Sequence, residues 1–287
     1  MDKIQVARHP FAWSVDQAAA SLRRQTELLN AAAARQGVLP VPEKLHFADL
    51  LGALRDGLDD FKALRTDVMF LCILYPLAGL VLGKFVLGGG VFQLAFPLAA
   101  GFALLGPVFA AGLYEMSRQR EYTLNVGWGS AFDVLRSPAA PSIAGLGLVL
   151  VALFVAWIGV AELLYNATLG PGAPASVDAF LGALFNTGAG TALIFLGCAA
   201  EFCFAAAVLA VSVISFPLML DRQVGLRKAV LLSLQVTRQN PGEMAAWGFI
   251  VASLLVLGSL PLLIGLAIVL PVLGHATWHL YRRILPR

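Results

Sequence analysis

Residues 143–165 read IAGLGLVLVALFVAWIGVAELLY, an apolar run with one carboxylate, Glu162. At about 1.5 Å per residue, a helix of this length crosses the ~30 Å hydrocarbon core of a bilayer. The segment before it, 115–141, carries Arg118, Arg120 and Arg136, whereas the loop after it, 166–190, has no Lys or Arg. Cytoplasmic loops keep basic residues and translocated loops shed them, so this run is expected to leave the cytoplasm.

The same asymmetry organises the rest of the chain. Nineteen of the twenty Lys and Arg residues lie in segments 1–66, 115–141, 217–243 and 282–287, and the stretches between them are apolar. With 59% apolar and 13% charged residues, the chain cannot cover a soluble globule, which needs about 25% charged residues. The net charge of +3 is spread over membrane-flanking segments, so it implies no nucleic-acid partner.

Four basic segments on one side demand an even number of crossings between each pair. The run from Val68 to Tyr114 divides at Gly88, Gly89 and Gly90 into spans at 68–87 and 92–114, with Lys84 snorkelling at the far end of the first. A fourth span, 191–216, returns the chain to Pro217, Asp221 and Arg222. The last apolar run, Ala245 to Tyr281, is too long for one crossing and breaks at Gly258 to Pro261 into spans at 245–260 and 263–281. The expected fold is all-α: a polytopic six-helix transmembrane bundle, residues 67–287, with both termini cytoplasmic. Residues 1–66 form a helical cytoplasmic arm, since the opening MDKIQVARHPFAW lacks the apolar core of a secretory signal.

Within the arm, 14–35 reads as a helix, and 45–64 carries Phe47, Leu50, Leu51, Leu54, Leu58, Phe61 and Leu64 as one apolar stripe. The stripe is expected to dock on the bundle, on a membrane-protein partner or on a second copy, and Asp59 and Asp60 favour protein over anionic lipid. Two cytoplasmic stretches, 128–138 and 231–241 with the residues just before it, read as short interfacial helices. In these, Trp128, Phe132 and Leu135 or Leu226, Val230 and Leu234 face the membrane, and Arg136, Arg227 and Lys228 meet headgroups. Trp128, Trp247 and Trp278 are expected in the cytoplasmic aromatic belt. Residues 101–118 and 265–282 share Gly, Ala, Pro, Val and Arg at a constant offset, as a parallel repeat would.

Ionisable groups inside spans are the candidate functional residues. Glu162 lies near Tyr165 at the outer end of its helix and reads as an interfacial anchor. Glu201 lies deep in the fourth span, and Gly197, Cys198 and Ala205 on its face suggest close helix packing. His275 and His279 stand one turn apart, and hydrogen bonding near Arg282 is the first reading for them. Cys72, Cys198 and Cys203 read as small buried residues. Nucleotide, zincin and hydrolase motifs are missing, so no catalytic residue, cofactor or metal is assigned.

Four stretches carry a resemblance: DLLGALRDGLDDFKALRTDVMFLCILYPLAGLVL, FPLAAGFALLGPVFAAGLYEMSRQRE, SFPLMLDRQVGLRKAV and LPVLGHATWHLYRR. In these the chain resembles a family of uncharacterised bacterial integral membrane proteins, a domain of unknown function sometimes labelled as cytochrome oxidase subunits. The resemblance implies a multi-pass protein of the bacterial inner membrane and no activity. The histidine positions give the oxidase label no support, since two of the four, His9 and His46, lie in the arm. The expected role is a non-enzymatic scaffold or an assembly or envelope-maintenance factor. A small-solute or proton-coupled transporter built on Glu201 is the alternative.

Overall fold

The structure, a computed structural model, describes residues 42–64, 84, 88, 92–123, 126–172, 174–261 and 263–285. The expected first span and the helix at 14–35 lie outside these residues, apart from Lys84 and Gly88. Helix α1 covers 47–64; α2 (Ala95–Leu104), α3 (Gly106–Phe109) and α4 (Ala111–Arg120) follow a 3₁₀ turn at Phe92–Leu94. A 3₁₀ helix, Trp128–Arg136, leads into α5 (Ala140–Thr168), α6 (Val177–Asn186), α7 (Gly188–Ser212) and α8 (Ser215–Arg222). The chain ends in α9 (Leu226–Gln239), α10 (Pro241–Ser259) and α11 (Leu266–Ile284).

Among the described residues the fold is all-helical, and three helices have the length and apolarity to cross a membrane: Ala140–Thr168, Gly188–Arg222 and Pro241–Ser259. Phe92–Leu104 and Val177–Asn186 are shorter apolar helices. Helix α11 is as long as α10, but its second half carries His275, His279, Arg282 and Arg283.

Several boundaries differ from the sequence reading, each for a local reason. The helix expected at 92–114 is interrupted at Leu105 and Ala110, because Pro107 has no N–H for the carbonyl four residues back, and the chain then stays helical to Arg120. The loop between α5 and α7 holds α6, whose first turn is capped by Ser176 Oγ accepting from Ala179 N at 3.1 Å. The span expected at 191–216 starts at Gly188, where Thr187 Oγ1 accepts from Gly190 N, and breaks at Val213–Ile214. There the Ser233 hydroxyl inserts into the ladder. It donates to Ala210 O at 2.7 Å and accepts from Ile214 N at 3.4 Å, taking the place of the direct bond between those two residues.

The core sits between α5, α7 and the short helices at the basic end, with Leu146, Leu150, Trp157, Phe216, Leu218, Trp247 and Trp278 buried. Helices α4 and α11 run parallel, since Leu113 meets Gly274 and Glu121 meets Trp278 and Arg282. These are the two segments of the expected repeat. A Cβ on Gly274 would stand 2.6 Å from Leu113 Cδ1, so glycine permits the close approach.

Helix α1 docks on this pair with part of the expected stripe, Leu50 and Leu64 buried and Leu54 and Phe61 packed against the core, and with the small residues beside it. Leu50, Ala53, Gly57, Asp60 and Leu64 are buried, whereas Phe47, Leu51 and Leu58 are exposed. The small residues win the interface because they let the backbones meet: a Cβ on Gly57 would stand 2.5 Å from the backbone nitrogen of Ala276. The strap before α1 is tied down too. Glu43 N donates to Ile284 O at 2.8 Å and Leu45 N to Asn240 Oδ1 at 2.9 Å, which joins it to α11 and to the start of α10.

Candidate functional site: a buried ionic hub at the basic end

Asp60 is the centre of the hub. Helix α1 presents it at 4% exposure to the crossing of α4 and α11. One carboxylate oxygen accepts from Ser117 Oγ at 2.6 Å and from His279 Nε2 at 2.8 Å, and the other pairs with Arg120. Ser117 has a single proton and gives it to Asp60. The Nδ1 of His275, 2.7 Å from the same hydroxyl, is therefore the donor in that contact.

Burial by itself would raise the Asp60 carboxyl. Hydrogen bonds from His279 and Ser117, with the charges of His279 and His275, outweigh burial and hold it at about 2, against an ordinary 3.8. Asp60 is therefore a permanent anion at neutral pH, and the chain Asp60–Ser117–His275 extends that charge into α11, where His275 is fully buried.

A second knot lies one turn further along α11. Arg282 is clamped between Asp221 of α8, at 2.7 and 2.8 Å, and Glu121 after α4, at 3.0 Å to each oxygen. Its guanidinium lies 4.8 Å from the Trp278 ring centre and 5.5 Å from that of Tyr281. Burial would lower the Arg282 pKa, but the bonds to Asp221 and Glu121 prevail and raise it. Tyr281 donates to Asp221 at 2.6 Å and Trp278 Nε1 to Glu121 at 2.8 Å. Arg283 reaches back to α1 at Asp56, 2.7 Å away. Arg118 and Gln119 satisfy the buried Glu115, and Gln119 also ties α4 to Asp133 of the 3₁₀ helix.

The residues singled out in the sequence fall into three groups. His275 lies in the hub. Trp278, expected in the aromatic belt, is fully buried, because its N–H and ring serve Glu121 and Arg282. Trp247, at 1% exposure, is also interior. Trp128 is exposed on its 3₁₀ helix and packs edge-on against Phe132, with Arg136 beside Asp133; Arg227 is exposed on α9 and Lys228 is half-buried.

Glu201 is apart from the hub. It is half-buried on α7, and its Oε2 is buried without a hydrogen-bond partner among the described residues. Of the residues expected to pack closely on its face, Ala205 packs against the core, whereas Cys198 is exposed and a Cβ on Gly197 would meet nothing within 4 Å; Cys203 is exposed too, against the buried reading of both cysteines. Glu162 bonds Asn166 at 3.2 Å.

The sequence reading missed Asp60 as a hub centre, along with Ser117, Arg120, Glu121, Asp221 and the clamp on Arg282. Their one local signal was a cluster of charges at the ends of apolar runs. Among the described residues, no three His, Cys, Asp or Glu side chains are arranged to hold a metal ion. The geometry can fix helix ends to one another and hold protons at defined atoms.

No curated protein and no solved structure matches the chain. The hub straddles the edges of the one stretch that a family model does match: Ser117, Arg120, Glu121 and Asp221 fall inside it, and Asp60, His275, His279 and Arg282 outside. Residues 95–221, from α2 to α8, match the model of the family described as "Predicted integral membrane protein (DUF2189)", an uncharacterised family of membrane proteins of the kind the sequence resembles.

Proposed function

We propose that this protein is a non-enzymatic scaffold or assembly factor of the bacterial inner membrane, with six spans, both termini in the cytoplasm and a docking platform at its basic end. The observation that carries the reading is the state of α1. Its inner face is locked to α4 and α11 through Asp60 and Arg283, yet Phe47 and Leu51 on its outer face are 60% and 68% exposed. A rigid apolar ridge beside charged loops suits a membrane-protein partner or a second copy of the chain. The parallel course of α4 and α11 supports the six-span count, because both then run toward the basic side.

Capture from native membranes tests the role. Leu51→Asp with Leu58→Asp should release a co-purifying protein, or reduce the oligomer, without lowering the melting temperature in detergent. Unchanged co-purification and oligomeric state would overturn the platform. Reporter fusions after Arg65, Arg120, Arg222 and Arg287 should report cytoplasm and one at Gly172 the outside; a cytoplasmic signal at Gly172 refutes the topology.

The second reading, a proton-coupled or small-solute transporter, is favoured by Glu201, whose buried Oε2 lacks a partner among the described residues. Flux in proteoliposomes that Glu201→Gln abolishes in a normally folded protein would promote it over the scaffold.

A further inference from the structure

A groove of about 440 Å³ opens on the side of the bundle where α9 leans on α5 and α7. Leu146 and Val149 of α5, Val211 of α7, and Leu226, Val230 and Leu231 of α9 form its walls, and Arg227 is its one charged lining residue. Its volume falls within the ~300–1,000 Å³ of small-ligand clefts. Gly145 lets the start of α9 come close, with Leu226 Cδ2 only 3.2 Å from where a Cβ would be.

Two independent features say what covers this groove. The first is the apolar surface around it, where Leu148, Val149 and Val151 of α5 are exposed on a helix long and apolar enough to cross a membrane. The groove therefore continues into a surface that meets lipid tails. The second is charge. Arg118, Arg120, Arg222, Arg282 and Arg283 are all ion-paired. Neither Arg227 nor Lys228 has an ion-pair partner among the described residues, and α9 contains no Asp or Glu. An apolar channel that begins in the lipid-facing surface and ends at Arg227, with Lys228 the next residue of α9, matches a molecule with an acyl chain and an anionic head.

We propose that this groove is a binding site for an anionic phospholipid, one acyl chain lying between α5 and α9 and the phosphate resting on Arg227 and Lys228. The assignment rests on the membrane orientation proposed above, with the basic end at the headgroups. Binding there would brace α9 and, through Ser233, the break between α7 and α8.

The test is native mass spectrometry of the full chain in mild detergent, titrated with phosphatidylglycerol or phosphatidylcholine. One phosphatidylglycerol should be retained at concentrations where phosphatidylcholine is not. At about 1 kcal/mol for each basic residue near an anionic surface, Arg227→Ala with Lys228→Ala should weaken retention roughly 30-fold. Val149→Trp, at a half-exposed wall position, should block the groove. Arg238→Ala removes equal charge from the far end of α9 and should change retention by less than about twofold. Inorganic phosphate at millimolar concentration should not displace the lipid; displacement would mean that a free anion suffices. Equal retention of both lipids overturns the site, as does an Arg238→Ala loss matching that of the double variant, or an unaffected Val149→Trp. Retention is read on detergent-purified protein, so its failure is separate from failure of the fusion or capture experiments.

Discussion

At the basic end of α11, Leu273, His275, Ala276, Trp278, Leu280, Tyr281 and Ile284 are buried, and charged groups from α1, α4 and α8 converge on the neighbouring Arg282 and His279. Toward the opposite end, Leu163, Phe185, Phe195, Phe202, Leu260 and Ile264 lie exposed, and Gln93 Oε1, Glu162 Oε2 and Glu201 Oε2 are buried without a hydrogen-bond partner among the described residues. An apolar end and a charged end call for different surroundings. Lipid tails satisfy apolar side chains as well as a protein core does, so the outer surface gains little from tight helix contact. Near the headgroups, helix ends carry charges that only other charges can satisfy once water is excluded, and pairing them ties distant segments together.

The comparison is broken most directly by cutting the hub. Asp60→Ala leaves Arg120, Ser117 and His279 without their acceptor; a buried pair losing one partner costs ~3–5 kcal/mol, and the one-third exposure of Arg120 brings this to about 2–3. Unfolding in mild detergent should show that loss, while Glu201→Leu, which removes a poorly satisfied oxygen, should leave stability unchanged or slightly raised. Equal losses at the two sites would erase the distinction between the ends.

Close packing sharpens it next. Gly57→Leu must push α1 off the Ala276 backbone and should cost about 1–3 kcal/mol, with faster proteolysis of the arm, whereas Gly197→Leu, facing open space, should change melting little. Arg282→Lys keeps the charge but cannot bridge two carboxylates with a planar fork. A loss of about 1–2 kcal/mol is expected, and melting indistinguishable from the parent would mean that charge alone matters there.

The smallest effect is pH dependence. The folded pKa of Asp60, about 2, lies below the unfolded 3.8, so its contribution is complete above 3.8 and is lost as pH falls from there toward 2. Melting should fall more steeply across that window in the parent than in Asp60→Asn. Parallel profiles would remove Asp60 from the hub's electrostatics.

Much of this architecture was legible in the chain. The apolar runs around Ile143–Tyr165 and Thr191–Phe216 announced long helices, since twenty consecutive apolar residues have few other fates, and Arg clusters marked the end at which they gather. Pro107 broke a helix where a missing N–H must, whereas Pro217 lies inside α8 and the break before it falls at Val213–Ile214. Composition and local period determined this much because each depends on neighbours a few residues apart.

The face of α1 that docks was decided only in three dimensions. Leu50, Leu54, Phe61 and Leu64 of the apolar stripe dock, but Phe47, Leu51 and Leu58 stay exposed, because Ala53 and Gly57 allowed backbone contact beside the stripe and brought Asp60 to its partners. The hub was equally hidden: Asp60 and His279 are 219 positions apart, and nothing near either one names the other. Helical periodicity is a property of a short window of chain, whereas a buried charge is tolerable only where packing delivers its counter-charge. That delivery belongs to the tertiary structure alone.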